Sequence, residues 1–422
     1  MSLCSVQLLH STVIVFGSMT FGMVCVYPSP TANDIQKLHE LTETSIAWVF
    51  YNSISYLFGM LGAYLTEVIL RAIKGKRKLM VFIIDCFGAA SWLLNCLTKP
   101  SIYSGIFSRA LLGITIGAYM TLNPMYLVEM ATEGYQSVFG AMNQFGICIG
   151  DILCSVLGPY IDYMGLNYVG ASICVLQAYL IWFIQESPEA GKENKDEKPI
   201  SAVFKREYAN NLAIGIVLLF VSQFSGINAI LSNLSTIMDE GGLKMNPNFQ
   251  SAIALASQFL AIVVNFLSIE KAGRKAIWII SSSICAIGLL LLALNEKFNW
   301  SNVLPVICIF IYNFGYGLGI GPIPWFIVSE LFEYDVRSAA NSICILLNWA
   351  FAFVMVMVFP SMKKSMGMFG ASLFFFGVCI FSIIFGIFEI PGRSTTQENP
   401  ICGIAASKEE QYNESQNDAN PI

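Results

Sequence analysis

Few residues in this chain could do chemistry, and their placement narrows what that chemistry is. Among 422 residues there are two histidines, His10 and His39, each far from partners that would complete a triad or a zinc site. The twelve cysteines are scattered, mostly within apolar runs, and form no CxxC pair. They read as small packing residues, and neither a disulfide framework nor a metal site is suggested. No Gly-x-x-x-x-Gly-Lys-Ser/Thr loop offers a phosphate cradle. The reading is therefore not an enzyme, with no catalytic residue, metal or cofactor. The unusual residues are charges inside apolar runs: Arg109, Asp85 and Asp151. An intramembrane carboxylate is costly and is a functional candidate by default, the ordinary alternative being a buried, partnered acid. Asp151 follows Gln144 by seven residues, about two helical turns, so both lie on one helix face.

The elements that hold these residues follow from composition. The chain is 55% hydrophobic and 12% charged, about half the charge of an ordinary soluble domain. Its mean hydropathy is +0.64. These values exclude a soluble enzyme and a disordered chain. A net charge of −5 excludes the basic surface that nucleic acid requires. A spanning helix needs about 20 apolar residues. Twelve such runs are predicted at 7–30, 45–70, 79–98, 101–128, 137–158, 166–184, 209–237, 248–269, 276–294, 302–328, 337–360 and 367–388. The first is too long for a signal-peptide core and lacks a small-residue cleavage site, so it reads as a retained span.

Lys and Arg set the orientation, because cytosolic loops carry the excess positive charge. With both termini inside, 16 basic residues fall in inner segments and 6 in outer loops, Arg109 lying within a span. The polar stretch Gln185–Tyr208 is then cytosolic, and the tail after Arg393, rich in Asn, Gln, Ser and Glu, reads as disordered. Asn299-Trp300-Ser301 is a glycosylation sequon in a predicted outer loop.

The two halves echo one another. Gly75-Lys76-Arg77-Lys78 follows the second run and Gly273-Arg274-Lys275 the eighth. Pro124 to Glu129 ends the fourth, and Pro324 to Glu330 the tenth. Such a parallel repeat is the plan of transporters whose halves rock around a site at the bilayer midplane. The fold class is an all-α membrane protein with twelve transmembrane helices in two pseudo-symmetric six-helix bundles. Its units are predicted as a first bundle at 1–184, a cytosolic loop at 185–208, a second bundle at 209–388 and a cytosolic tail at 389–422.

Five stretches resemble the sugar porter branch of the major facilitator superfamily, close to facilitative glucose carriers and insect trehalose carriers. They are Glu270-Lys271-Ala272-Gly273-Arg274-Lys275; Gln223-Phe224-Ser225-Gly226-Ile227-Asn228; Gly321-Pro322-Ile323-Pro324-Trp325-Phe326 with Glu330 and Arg337; Arg109, Pro124, Tyr126, Glu129 and Gln144 at family spacing; and Glu186-Ser187-Pro188. The resemblance implies facilitated diffusion of a hexose or trehalose by alternating access, across the plasma membrane, with both termini cytoplasmic. The partners are a small sugar and the lipid bilayer, with no nucleic acid.

A sugar presents hydroxyls and two C–H faces, and uncharged amides with an aromatic platform suit it. Gln144, Gln223, Asn228 and Asn348 supply amides and Trp325 a platform, although amides in spans also serve helix–helix bonding. The glycines and prolines of the tenth run mark a gate that bends. By the resemblance, Arg77, Arg109, Glu129, Glu270, Arg274, Glu330 and Arg337 belong to gating and salt-bridge roles. The inner-end members among them tie the halves together when the cavity opens outward. Departures include Ser222 for a second Gln and Met19 where coupled relatives carry an acid opposite Arg109, which favours uniport. The alternatives are a proton–sugar symporter using Asp151 or Asp85, and a sugar sensor that does not transport.

Overall fold

The computed structural model describes residues 3–131, 136–191, 200–332 and 334–390. Side chains at 3–6, 136–138, 141, 200–201, 269–271, 326, 328–330, 334–335 and 337–338 fall outside that description. Glu270, Glu330 and Arg337 are among them, as are the centre of the polar loop (192–199) and the tail (391–422).

The described chain is almost wholly helical. Its helices are α1 (Leu3–Val26), α2 (Pro28–Leu38), α3 (Ile46–Ala72), α4 (Arg77–Asn95), α5 (Ile102–Met130), α6 (Gln136–Leu157) and α7 (Tyr163–Leu180). There follow α8 (Ala209–Phe224), α9 (Ile227–Ser232), α10 (Leu234–Glu240), α11 (Pro247–Ala272), α12 (Arg274–Phe298), α13 (Leu304–Gly315), α14 (Ile323–Leu331) and α15 (Tyr334–Phe388). Among the described residues, ten helical stretches are long and apolar enough to cross a membrane. One of them, Ala339–Phe388, runs 50 residues but breaks at Gly367, whose φ of 68° is left-handed. It therefore supplies two crossings. With the shorter apolar helix Met142–Leu157, all twelve predicted runs are found.

Three runs differ in detail from expectation. The first ends at Val26, because Pro28 and Pro30 start a separate amphipathic helix, α2. The seventh is broken twice, at Gly226 and at Asn233. The tenth is interrupted by a π turn over Tyr316–Ile320. The end of the polar loop is also more ordered than a plain linker: Ala202, Val203 and Tyr208 are buried against Phe332, Val336 and Ala340.

Small residues set the packing. In membranes helices associate by close backbone approach rather than by a hydrophobic drive. α3 lies on α5 so closely that a Cβ at Gly117 would strike the Gly59 carbonyl. α1 and α6 meet in the same way, with Gly150 against the Met19 carbonyl. The first six spans pack on one another, as do the last six, and the two groups meet along α3 with α15 and α6 with α11.

Candidate functional site

A cavity of about 100 Å³ lies where the two groups of spans meet. By the volume one water occupies, that is room for several waters or a small polar ligand. The first six spans contribute Phe21, Cys25, Tyr56, Gln144 and Asp151 to its wall, and the last six contribute Ser222, Gln223, Asn228, Gln258, Tyr316, Trp325, Asn348 and Trp349. The five residues expected to contact sugar are thus brought to one cavity.

Three amides form a chain across α8, α9 and α15. Asn228 Nδ2 donates to Gln223 Oε1 at 2.6 Å, and Gln223 Nε2 donates to Asn348 Oδ1 at 2.8 Å. The break at Gly226 makes this possible. Its φ of 100° suits a residue without Cβ, and Phe375 packs where a Cβ would stand. The carbonyl freed at Ser225 accepts from Tyr312 Oη at 3.1 Å. α9 then restarts with Asn228 turned to the cavity.

The bend in the tenth span is satisfied in the same manner. Ser281 Oγ donates to Gly315 O at 2.6 Å and accepts from Ile320 N at 2.9 Å. Asn265 Nδ2 donates to Leu318 O at 2.5 Å. Irregular backbone at membrane depth persists only where side chains or a cavity re-satisfy it. The bend carries Tyr316 and Trp325 to the wall, and Tyr316 Oη hydrogen-bonds Ser222 Oγ at 3.0 Å. The departure at Ser222 thus faces the cavity through this pair. Trp349 forms one side, its ring 5.9 Å from Phe21 and 6.3 Å from Tyr56.

The intramembrane charges separate by location. Asp151 is 2% exposed and lines the cavity. Asp85 lies away from it, fully buried, and accepts from Tyr119 Oη at 2.5 Å. Arg109 is fully buried. It donates to Val24 O at 2.9 Å and Tyr51 O at 3.3 Å and stands over the rings of Tyr27 and Tyr51. The first-span residue facing Arg109 is therefore Val24 and not Met19, which packs in a separate apolar cluster. Val24 is also uncharged, so the expected absence of an acid there rests on a different residue.

Charges at the helix ends divide between two faces. On the face where α3 ends and α4 begins, Arg77 makes a two-pronged pair with Glu129, at 2.8 and 3.0 Å. Ser187 Oγ donates to Glu129 at 2.6 Å, and Glu186 accepts from Lys78 N at 3.2 Å. Among the described residues this pair joins elements of the first six spans to one another. Glu330 and Arg337, the members of the second half expected to join this pair in tying the halves together, lie outside the described side chains. Arg274, at the start of α12, is partly exposed. Ser342 does cross between halves on this face, donating to Glu67 at 2.8 Å. On the opposite face Lys363 reaches Glu43 at 3.1 Å and Glu240 at 2.7 Å. Ser29 Oγ there donates to Ser235 Oγ at 2.9 Å. Asn299 is exposed on that same side.

Gln258, Tyr316, Trp349, Phe21 and Tyr56 were not anticipated as wall residues. Gln258 is one of four amides on α11, with Asn248, Gln250 and Asn265, so its type does not single it out, and the aromatics are indistinguishable by type from packing residues elsewhere.

Comparison with known proteins places this geometry. The family model described as "Sugar (and other) transporter" matches residues 3–198 and again 189–395. The chain is 27% identical to the facilitated trehalose transporter Tret1 of Drosophila willistoni, over 91% of this chain and 49% of that one. It therefore spans about half the length of that relative. It is 27% identical to Tret1 of Culex quinquefasciatus over 94% of this chain and 86% of that one. Against sugar transporter ERD6-like 6 of Arabidopsis thaliana the identity is 26%, over 90% and 86% of the two chains. The fold matches the xylose transporter XylE from E. coli in a partially occluded inward-open conformation, with a TM-score of 0.76 at 19% identity, covering 92% of this chain and 100% of that one. Twelve spans in the XylE arrangement, a cavity between their two groups, and a family model matched once in each half mean that the chain belongs to the sugar (and other) transporter family.

Proposed function

We propose that the chain carries a neutral sugar, a hexose or trehalose, across the plasma membrane by alternating access and down the sugar's own gradient. The observation that carries this reading is the uncharged amide chain Asn228–Gln223–Asn348, set beside Trp325 on a cavity between the two halves. Amides donate and accept, so they suit hydroxyls, and the indole suits a C–H face. The facilitated trehalose transport for which the Tret1 relatives are named supports trehalose as one candidate. Arg109 is held by carbonyls and rings, and no carboxylate hydrogen-bonds it among the described residues, which favours uniport over proton symport.

In this reading bundles 1–184 and 209–388 rock against one another. The loop 185–208, the tail 389–422 and both termini face the cytosol, as the basic bias of 16 to 6 supports. Asn299 is then an external glycan acceptor.

The test is counterflow of labelled sugars into vesicles holding the purified chain. Gln223→Ala should raise the apparent KM about tenfold, the scale of one or two lost hydrogen bonds. Trp325→Ala should slow exchange. Exchange of no sugar would overturn the transport reading, and unchanged exchange in both variants would overturn the site.

A further inference from the structure

The amide chain uses part of its hydrogen-bonding capacity internally, and the wall carries further capacity beside it. Asn228, Gln223 and Asn348 are linked in a chain, and Ser222 is paired with Tyr316. Three buried atoms of wall residues have no hydrogen-bond partner among the described residues: Asp151 Oδ1, Gln258 Oε1 and Trp349 Nε1. Their residues are 2%, 4% and 3% exposed. Buried polar atoms without partners are costly and rare. Three on one cavity wall call for a ligand that brings two donors and one acceptor, which is what vicinal hydroxyls offer.

Asp151 differs in kind from the rest of that wall. It is the one Asp, Glu, Lys, Arg or His among the wall residues. A carboxyl keeps acceptor capacity whether ionised or protonated, and hydrogen bonds to a charged acceptor are about twice as strong as neutral ones. Its location also matters. Asp151 is on α6 and Gln258 on α11, which pack together across the junction of the halves. There the Phe145 and Phe259 rings meet edge to face at 4.9 Å.

We propose that Asp151 is the specificity-determining contact of the cavity: its Oδ1 accepts from one substrate hydroxyl while Gln258 Oε1, from the other half, accepts from a second. This rests on the sugar-transport reading above and deepens it. The substrate class is a polyol with two hydroxyl donors placed to bridge α6 and α11. Removing or methylating the hydroxyl that faces Asp151 leaves the carboxyl unpartnered and the analogue rejected. The same contact joins the halves through the ligand, so it favours closure around a correct substrate only.

The experiment is vesicle counterflow with the full chain, using glucose, trehalose, and the monodeoxy and mono-O-methyl glucoses. Asp151→Ala and Asp151→Asn are compared with wild type, and binding is followed in parallel by fluorescence of the wall indoles. In wild type, one analogue should show an affinity ten- to a hundredfold below its parent. In Asp151→Ala the parent should fall by a similar factor, and that analogue should be no worse than the parent, the non-additivity expected of a shared contact. Asp151→Asn keeps the shape and an acceptor and should lose only severalfold; it carries the comparison if the alanine variant does not fold. Unchanged parent affinity and unchanged analogue discrimination in both variants would overturn the proposal while leaving transport standing. A wild-type protein that neither binds nor exchanges any sugar would overturn the transport reading and this contact with it.

Discussion

At the scale of the residue, polar groups in an apolar chain are few enough to be traced one by one. Gln144, Gln223, Asn228 and Asn348 are legible because an amide in a span needs a reason to be there, and all four reach one cavity. Which of them is free to bind is not legible, since Gln223 and Asn348 lie 125 residues apart and meet only after folding. Arg109 is held from several sides. It fills a fully buried position, two carbonyls accept from it, and two tyrosine rings face it. Arg109→Ala should therefore destabilise by about 2–4 kcal/mol, from a cavity and two orphaned carbonyls, read as a lower melting temperature of the detergent-purified protein. An unchanged melting temperature would remove Arg109 from the structural role.

At the scale of the element, the breaks decide the site. Gly226 ends α8 in the left-handed region with Phe375 packed against it. Gly226→Ala meets both backbone strain and a steric clash, and should cost about 2 kcal/mol or more and abolish most exchange. Gly377→Ala is the contrast, because nothing lies within 4 Å of its added Cβ and its helical backbone accepts alanine; a gain of up to about 1 kcal/mol is expected. Equal melting temperatures for the two variants would refute the assigned strain. The glycines of the tenth span were legible as a bend. The rescue of that bend by Ser281 and Asn265 was not, because both come from other spans.

At the scale of the molecule, the face opposite the Arg77–Glu129 cluster is held shut across the halves. Lys363 ties Glu43 of the first half to Glu240 of the second, and its side chain is only 12% exposed. Ser29 and Ser235 add a second link. Opening on that face must break these contacts, which together contribute about 1 kcal/mol or slightly more, by the usual value of partly exposed pairs. Lys363→Gln should therefore shift the population toward the state open on that face by about fivefold. Cys25 lines the cavity and is a native reporter: with the other cysteines replaced, an impermeant thiol reagent added from that side should label it about fivefold faster in Lys363→Gln. An unchanged labelling rate would show that the ion pairs do not hold the gate.

What the sequence determined by itself is the solvent and the number of crossings. Both depend on local composition, because apolar length is set against bilayer thickness. It also marked the amides that reach the cavity, because polar side chains in spans are scarce. The tertiary structure decided the rest. That Asp151 lines the cavity while Asp85 is bonded to Tyr119, that Arg109 faces Val24, and that Lys363 reaches both Glu43 and Glu240 all depend on contacts between distant segments. Helical periodicity orients a side chain around its own axis only; what stands opposite is set by how the helices pack, and small residues spread over many spans control that packing.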